Sequence, residues 1–415
     1  MKTDRDTQDL IRTTTTGSLT YTLRMAYNAA NRLTQLTYPS GTIVAYGRDA
    51  VGRINAVSVN GSPVVAGVSY APFGPPELLS FGDGSTLARG VDKNYRTSQI
   101  VSSLSDGLKL YFEFDVLGNI TRADNDALPN STSPEQRAYS YDHVYRLTDI
   151  RTANAALIER FAYDKTGNRT EKQGSCATAN YSYSGVSHRL SSVSGDGRSY
   201  DASGNTTFIS YPTGSASEAL SPKSQRGQEF QYDSRGRMVS SRTLGSRCLG
   251  CDSGYTFNYN ARGERVEKTV ISGLGKPTTT PSLYDESGHL LTELNGSDSI
   301  EIIWLEDLPV AVNRAGAVHY IHADHLGTPR AVVTSGTASK AIWQWDFLAT
   351  ATGSNAFGDL EANADLDADG THFIFNLRFP GQQKDQTGLN YNYFRDYEPA
   401  TGRYVESDPI GLPLA

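Results

Sequence analysis

Gln-Glu-Phe-Gln-Tyr-Asp-Ser-Arg-Gly-Arg, residues 228–237, is the stretch on which the reading of the fold turns. Apolar and polar residues alternate up to Tyr232, the pattern of a strand with one buried face. Asp233 then suits a tight turn, because its carboxylate can accept a bond from the backbone two residues on. Gly236 supplies a positive φ, and Arg237 begins an exit strand. The phrase is therefore Tyr or Phe, Asp or Asn, two variable residues, Gly, and a polar residue. It recurs eleven times up to about residue 290. Clear copies begin at Tyr163-Asp164, Tyr259-Asn260 and Tyr284-Asp285; Phe114-Asp115, Tyr200-Asp201, Tyr27-Asn28 and Arg48-Asp49 belong to the same set. Degenerate copies sit at Tyr70-Ala71, at Asp92 with Tyr95-Arg96, and at Tyr141-Asp142 with Tyr145-Arg146.

Counted from the Asp/Asn position, the steps are 21, 22, 21, 23, 27, 22, 37, 32, 27 and 25 residues. A period of this size marks a stacked repeat architecture. One hairpin is marginal in water, since two strands cannot bury a face alone. Neighbouring hairpins must pair edge to edge, which predicts an all-β fold built on a large, twisted antiparallel sheet. Tyr outnumbers Phe 24 to 14, as suits rings that are buried while their hydroxyls reach water or backbone.

Composition agrees. Of 415 residues, 38% are hydrophobic, 20% are charged and 39 are Gly, which reads as turn-rich and all-β. The net charge of −7, with no basic run, argues against nucleic acid as a main partner. Met1-Lys2-Thr3-Asp4-Arg5-Asp6 shows no apolar leader, and no window approaches 18 apolar residues, so no signal peptide or membrane span is expected. Cys176, Cys248 and Cys251 make no disulfide framework. The Cys248-Leu249-Gly250-Cys251 spacing lacks partners for a zinc site and reads as a loop or a local disulfide. No nucleophile elbow, phosphate loop or His-Glu-Xaa-Xaa-His occurs, so a freestanding enzyme is not expected.

After about residue 300 the period is lost. Ile300–Trp304 reads as a strand. His319, His322, Asp324 and His325 lie close in sequence, but a strand would turn His319 and His325 to opposite faces, so a structural turn is expected there rather than a metal site. Trp343, Trp345 and Phe347 fall on one face at period two and predict a buried strand. Asp365, Asp367 and Asp369 before Gly370 have the spacing of the first half of a calcium loop, but the twelfth position is Asn376. A weak calcium site and a solvated acidic turn are the two readings. No other cofactor is expected.

The last segment is the most specific: Asn376-Leu377-Arg378-Phe379-Pro380-Gly381-Gln382, then Thr387-Gly388-Leu389-Asn390-Tyr391-Asn392-Tyr393-Phe394-Arg395-Asp396-Tyr397-Glu398-Pro399, then Arg403-Tyr404-Val405-Glu406-Ser407-Asp408-Pro409-Ile410-Gly411-Leu412. With Asp324-His325-Leu326-Gly327-Thr328-Pro329-Arg330 it closely resembles the RHS repeat-associated core of bacterial RHS/YD-repeat proteins, and the upstream phrases resemble their YD repeats. That family includes the C component of insecticidal toxin complexes and the teneurin shell. The resemblance implies two regions, 1–300 as YD-repeat wall and 301–415 as core. It implies a sheet spiralling into a hollow β-shell, here a partial one, closed by the core as a plug. A C-terminal polymorphic toxin, absent from this chain, would be held inside. It further implies aspartyl autoproteolysis, with Asp396 and Asp408 as the matching acids and Arg395 beside the first; the plainer reading is that both acids cap turns. The sequence stops seven residues after Asp408, so a partial shell with an exposed edge is expected, completed or delivered by a partner chain. Family likeness points to a secreted or cell-surface setting. The competing class is a surface adhesion or carbohydrate-binding protein, and the direction of the Tyr rings separates the two. Rings packed between successive hairpins suit a shell. Exposed rows suit a lectin.

Overall fold

A computed structural model describes residues 8–16, 19–72, 74–125, 136–174, 177–185, 187–211, 226–244, 253–272, 275–296, 298–348 and 354–409. Among these residues there are strands and turns and no helix, and all the strand pairs are antiparallel. Cys176, Cys248, Cys251 and residues 349–352 lie outside the described residues.

All eleven repeat phrases close the same turn. In the copy at Asp233, its N–H donates to the Arg237 carbonyl (2.9 Å) and the Gly236 N–H returns to the Asp233 carbonyl (3.0 Å). The carboxylate completes the turn. Oδ1 accepts the N–H groups of Arg235 (2.8 Å) and Arg237 (3.0 Å), and Oδ2 accepts Arg237 Nε (2.8 Å). Gly236 has φ +76°, and in the copies that lack this Gly, Asn31, Tyr95 and Tyr145 take the left-handed conformation instead.

The ring and the basic residue join one repeat to the next. Tyr259 Oη donates to the Met238 carbonyl (2.7 Å), Tyr232 Oη to Thr206 (2.7 Å), Tyr163 Oη to Leu147 (2.9 Å) and Tyr70 Oη to Ile54 (2.5 Å). Each acceptor belongs to the preceding copy. The Arg of that copy lies over the same ring: Arg237 over Tyr259 and Arg146 over Tyr163 (each 4.7 Å), Arg53 over Tyr70 (4.6 Å), Arg96 over Phe114 (4.5 Å). These rings pack between successive hairpins, the arrangement that suits a wall rather than a sugar-stacking face.

Two further turns belong to the set. Ser184 closes on Arg189 (3.3 Å), and Tyr183 Oη donates to the Arg169 carbonyl (2.8 Å), which fills the step of 37. Asp324 closes on Thr328 (2.8 Å), accepts the N–H groups of Leu326 and Thr328, and holds Arg330 Nε at 2.8 Å. The repeat therefore runs beyond residue 300.

The chain forms two compact units, and each is described by itself. The first comprises residues 1–136, 281–348 and 361–380. The expected boundary at residue 300 falls inside it. Pairing does not break there: Leu290–Glu293 pairs with Ile300–Leu305, and the ladder continues through Leu308–Arg314, Ala317–Ala323, Pro329–Thr334 and Ala341–Gln344. In this unit the early strands meet the late ones. Phe81 stacks on Tyr320 (4.7 Å), and Tyr38 Oη donates to the Ile302 carbonyl (2.6 Å). Trp343 and Trp345 are fully buried, but the expected strand stops at Gln344, before Trp345, and Phe347 beyond it is only half-buried. Arg330 lies among Trp345, Phe347 and Phe379, with Asp324 as its ion partner.

The second unit comprises residues 137–280, 349–360 and 381–415. Thr206–Ser210, Gly227–Tyr232, Met238–Leu244, Ser253–Tyr259 and Arg265–Ser272 pair in chain order. Their inward residues Ile209, Phe230, Met238, Tyr255 and Phe257 close on Leu389 and Val405 of the C-terminal segment. That segment is a small four-stranded sheet of Gln383–Lys384, Asn390–Asn392, Arg395–Glu398 and Arg403–Tyr404.

Candidate functional site

The C-terminal segment of the second unit holds the predicted acids. Arg395 and Asp396 are consecutive on one strand, so their side chains leave opposite faces. Arg395 Nη1 meets the half-exposed Asp408 carboxylate at 3.2 Å, and its guanidinium lies 4.0 Å from the Tyr404 ring. Asp396 points into the interior and is 4% exposed. Its carboxyl partner is Glu406, not Asp408. Family likeness singled out Asp408 alongside Asp396, but strand register decides which acid lies beside it. Tyr397 pairs with Tyr404, and the Val405 N–H donates to the Asp396 carbonyl (3.0 Å), which brings the next residue, Glu406, alongside Asp396. Glu406 Oε2 then accepts the Asp396 N–H at 2.7 Å.

The surroundings explain the electrostatics. Arg265 Nη1 and Lys268 Nζ both bind Asp385, at 2.5 and 3.0 Å. Burial alone would raise the Asp385 carboxyl, but the two cations outweigh it and hold it below its ordinary value. Both cations are thereby engaged. Burial pushes Asp396 up to about 6, against the pull of Arg265. Burial, and then Asp396 itself, raises Glu406 well above the carboxylate range. Sequence reasoning missed Glu406, Asp385 and Arg265. Asp385 did carry a signal, since Asp385 and Gly388 repeat the turn spacing, but its carboxylate reaches Arg265 instead of capping its own turn.

The other candidates sit in the first unit. Oxygens of Asp365, Asp367 and Asp369 lie within 4.8 Å of one another. Asp365 accepts the N–H groups of Asp369 (3.0 Å) and Gly370 (3.2 Å), and Lys340 is the ion partner of Asp367. A divalent cation held by these three acids would share Asp367 with Lys340. The three His rings go to different neighbours. His319 sets its edge on Phe373, His325 on Phe112, and His322 accepts the Leu108 N–H at Nδ1 (3.3 Å). Burial lowers His322 to about 4.

A wall of hairpins sewn through Tyr and Arg, with a core segment folded against it, is the construction of a YD shell. A sequence profile of the teneurin YD-shell matches residues 82–408, and one of the RHS repeat matches residues 27–62. The chain belongs to the teneurin YD-shell family. It is 24% identical over 418 residues to double-stranded DNA deaminase toxin A of Burkholderia cenocepacia, covering 94% of this chain and 26% of that protein. It is 25% identical over 353 residues to toxin subunit YenC1 of Yersinia entomophaga, covering 73% and 34%. The chain thus spans about a quarter to a third of the length of these relatives. The fold superposes on the crystal structure of TcdB2-TccC3 without its hypervariable C-terminal region with a TM-score of 0.62 at 15% identity, over 98% of this chain and 22% of that one.

Proposed function

We propose that this chain is a section of a shell that houses a C-terminal polymorphic toxin, and that Asp408 and Arg395 serve an aspartyl autoproteolysis that frees it. The observation that carries the reading is the ladder of rings: Tyr and Arg are spent on joining one hairpin to the next, as a container wall requires. Relatives named as a deaminase toxin and a toxin subunit, and a fold neighbour named for its hypervariable C-terminal region, support it. In the release step Arg395 orients Asp408, so that this carboxylate can take a proton from water as the water attacks a peptide carbonyl and then pass it to the leaving amine as the C–N bond breaks. Asp396 faces the other way and is assigned a different task below.

The test appends a family-type downstream segment and a small reporter domain after residue 415. A cut product on a gel is expected for the wild type and not for Asp408→Asn. Equal amounts of uncut chain in both would remove the protease claim. Encapsulation is read separately, as the lifetime of the reporter under added protease. Digestion at the rate of the free reporter would end the container reading.

A further inference from the structure

Among the buried charged groups of the second unit, the carboxyls Asp385, Asp396 and Glu406 lie close to the cations Arg265 and Lys268. Asp385 engages both cations. Asp396 and Glu406, 4% and 6% exposed, are left facing each other without a counterion of their own. Glu406 Oε1 is buried and finds no donor among the described residues. A donor exists there only if one of the two carboxyls carries a proton. Two bare carboxylates buried side by side would carry a desolvation cost and repel each other.

We propose that Asp396 and Glu406 share one proton and form a clasp that holds residues 403–408 against the rest of the unit, and that alkaline pH opens it. The clasp lies where such a lock would matter. Val405 N–H donates to the Asp396 carbonyl (3.0 Å), Thr206 N–H to the Val405 carbonyl (2.8 Å), and Ser407 N–H to Asn205 Oδ1 (3.2 Å). The strand next to Glu406 therefore docks on the turn of the Asp201 copy. Asp408 and its partner Arg395 lie two residues and one residue from the clasp, so Asp396 and Glu406 act as positioning residues for that pair. The clasp itself stands whether or not the shell releases a cargo.

The charged and titratable groups around the pair are Arg265 and Lys268 on Arg265–Ser272, Asp385 in its turn, Tyr232 and Tyr259 at the ends of their strands, and Asp201 in the facing turn. Burial, and next the two acids (Glu406 before Asp396 at Tyr232, Asp396 alone ahead of Glu406 at Tyr259), keep both Tyr hydroxyls protonated far into the alkaline range. Both hydroxyls already donate to backbone carbonyls, Tyr232 to Thr206 and Tyr259 to Met238, and Arg265 and Lys268 are engaged with Asp385. When the clasp opens, the proton passes to solvent and the pair becomes two separate hydrated carboxylates.

Hydrogen exchange of the Asp396, Val405, Ser407 and Thr206 amides, corrected for intrinsic rates, tests this from pH 5 to 10 on the full chain. Protection in the wild type should fall toward tenfold per pH unit once the shared proton is lost. Glu406→Gln, which keeps a donor and cannot ionise, should hold protection flat, and Asp396→Asn should do the same. Arg395→Gln should leave the pH dependence in place, because it removes only the outer pair. Infrared spectra add a reading on the unaltered protein: a protonated-carboxyl stretch at neutral pH that Glu406→Gln abolishes. Wild-type protection that does not change with pH, a pH dependence shared by Glu406→Gln, or no carboxyl stretch at pH 7 would each overturn the clasp.

Discussion

Replacing Asp233 by Ala removes the acceptor of two backbone N–H groups and the ion partner of Arg237 in one step. The pair is only partly exposed, 17% for Arg237 and 23% for Asp233, so water can replace some of what is lost. Losing a turn cap of this kind costs about 1 kcal/mol per N–H. The ion pair adds about 0.5 kcal/mol, and freeing Arg237 from its place over Tyr259 about another 0.5. The total is about 3 kcal/mol, which exchange at the Arg235 and Arg237 amides would show as roughly a hundredfold loss of protection. Asp233→Asn keeps Oδ1 for the two N–H groups and sets a donor against Arg237, so it should cost about 1 kcal/mol. The chain itself uses Asn at this place in the copy at Asn260, where Nδ2 donates to Glu264 (2.5 Å). The double change Asp233→Asn with Arg237→Glu should therefore rebuild the turn, though not the contact with Tyr259. Equal loss for Ala and Asn would refute the reasoning, because the backbone N–H groups would then not be what Asp233 serves.

Gly167→Ala isolates backbone strain, since φ is +93° and the only atom near the added methyl is Arg146 Nη1 at 3.9 Å; a loss of about 1–2 kcal/mol in urea unfolding is expected, and less for Gly167→Asn. Arg265→Leu leaves Asp385 buried with Lys268 alone and should cost about 3–5 kcal/mol by thermal unfolding, with Asp385→Leu in addition recovering most of it. On acidification the repeat turns should loosen together. Side-chain bonds from Asn119 and Asn168 hold Asp115 and Asp164 below the ordinary value, and at Asp92, Asp142 and Asp233 the bonds to Arg overcome a desolvation that acts the other way. Depressed acids stabilise above their unfolded pKa and lose that contribution as pH falls through the folded value. Turn-amide exchange should therefore rise below about pH 4, and turns that stay protected to pH 2 would contradict it.

The turns were legible because Asp and Gly at a fixed offset encode bonds made within five residues. The Tyr–Arg ladder was not, since Arg237 reaches a ring in the next copy and that contact exists only once neighbours pair. The copy at Ser184 escaped notice because its turn is one residue longer and has Ser for Asp. Asp324 has the Gly and the polar residue at the right spacing, but Ala323 stands where the ring should be, and three His drew the eye instead. At the site, Arg395 and Asp408 were found on family likeness. The partner of Asp396 was not, because it depends on which residue the strand register sets beside it, a fact that spacing along the chain does not contain.

From Thr206 to Ser272 the connections of the second unit differ in length between the two ends of the strands. At one end the turns take five residues, 233–237 and 260–264; at the other, residues 211–226 and 245–252 join successive hairpins. The five-residue turns contain the bonded Asp233 and Asn260, and Arg237 of the first lies over the Tyr259 ring of the next. A single residue added between Asp233 and Gly236 would therefore do more than lengthen a loop: it would throw the downstream pleat out of phase and carry Arg237 away from the ring it covers.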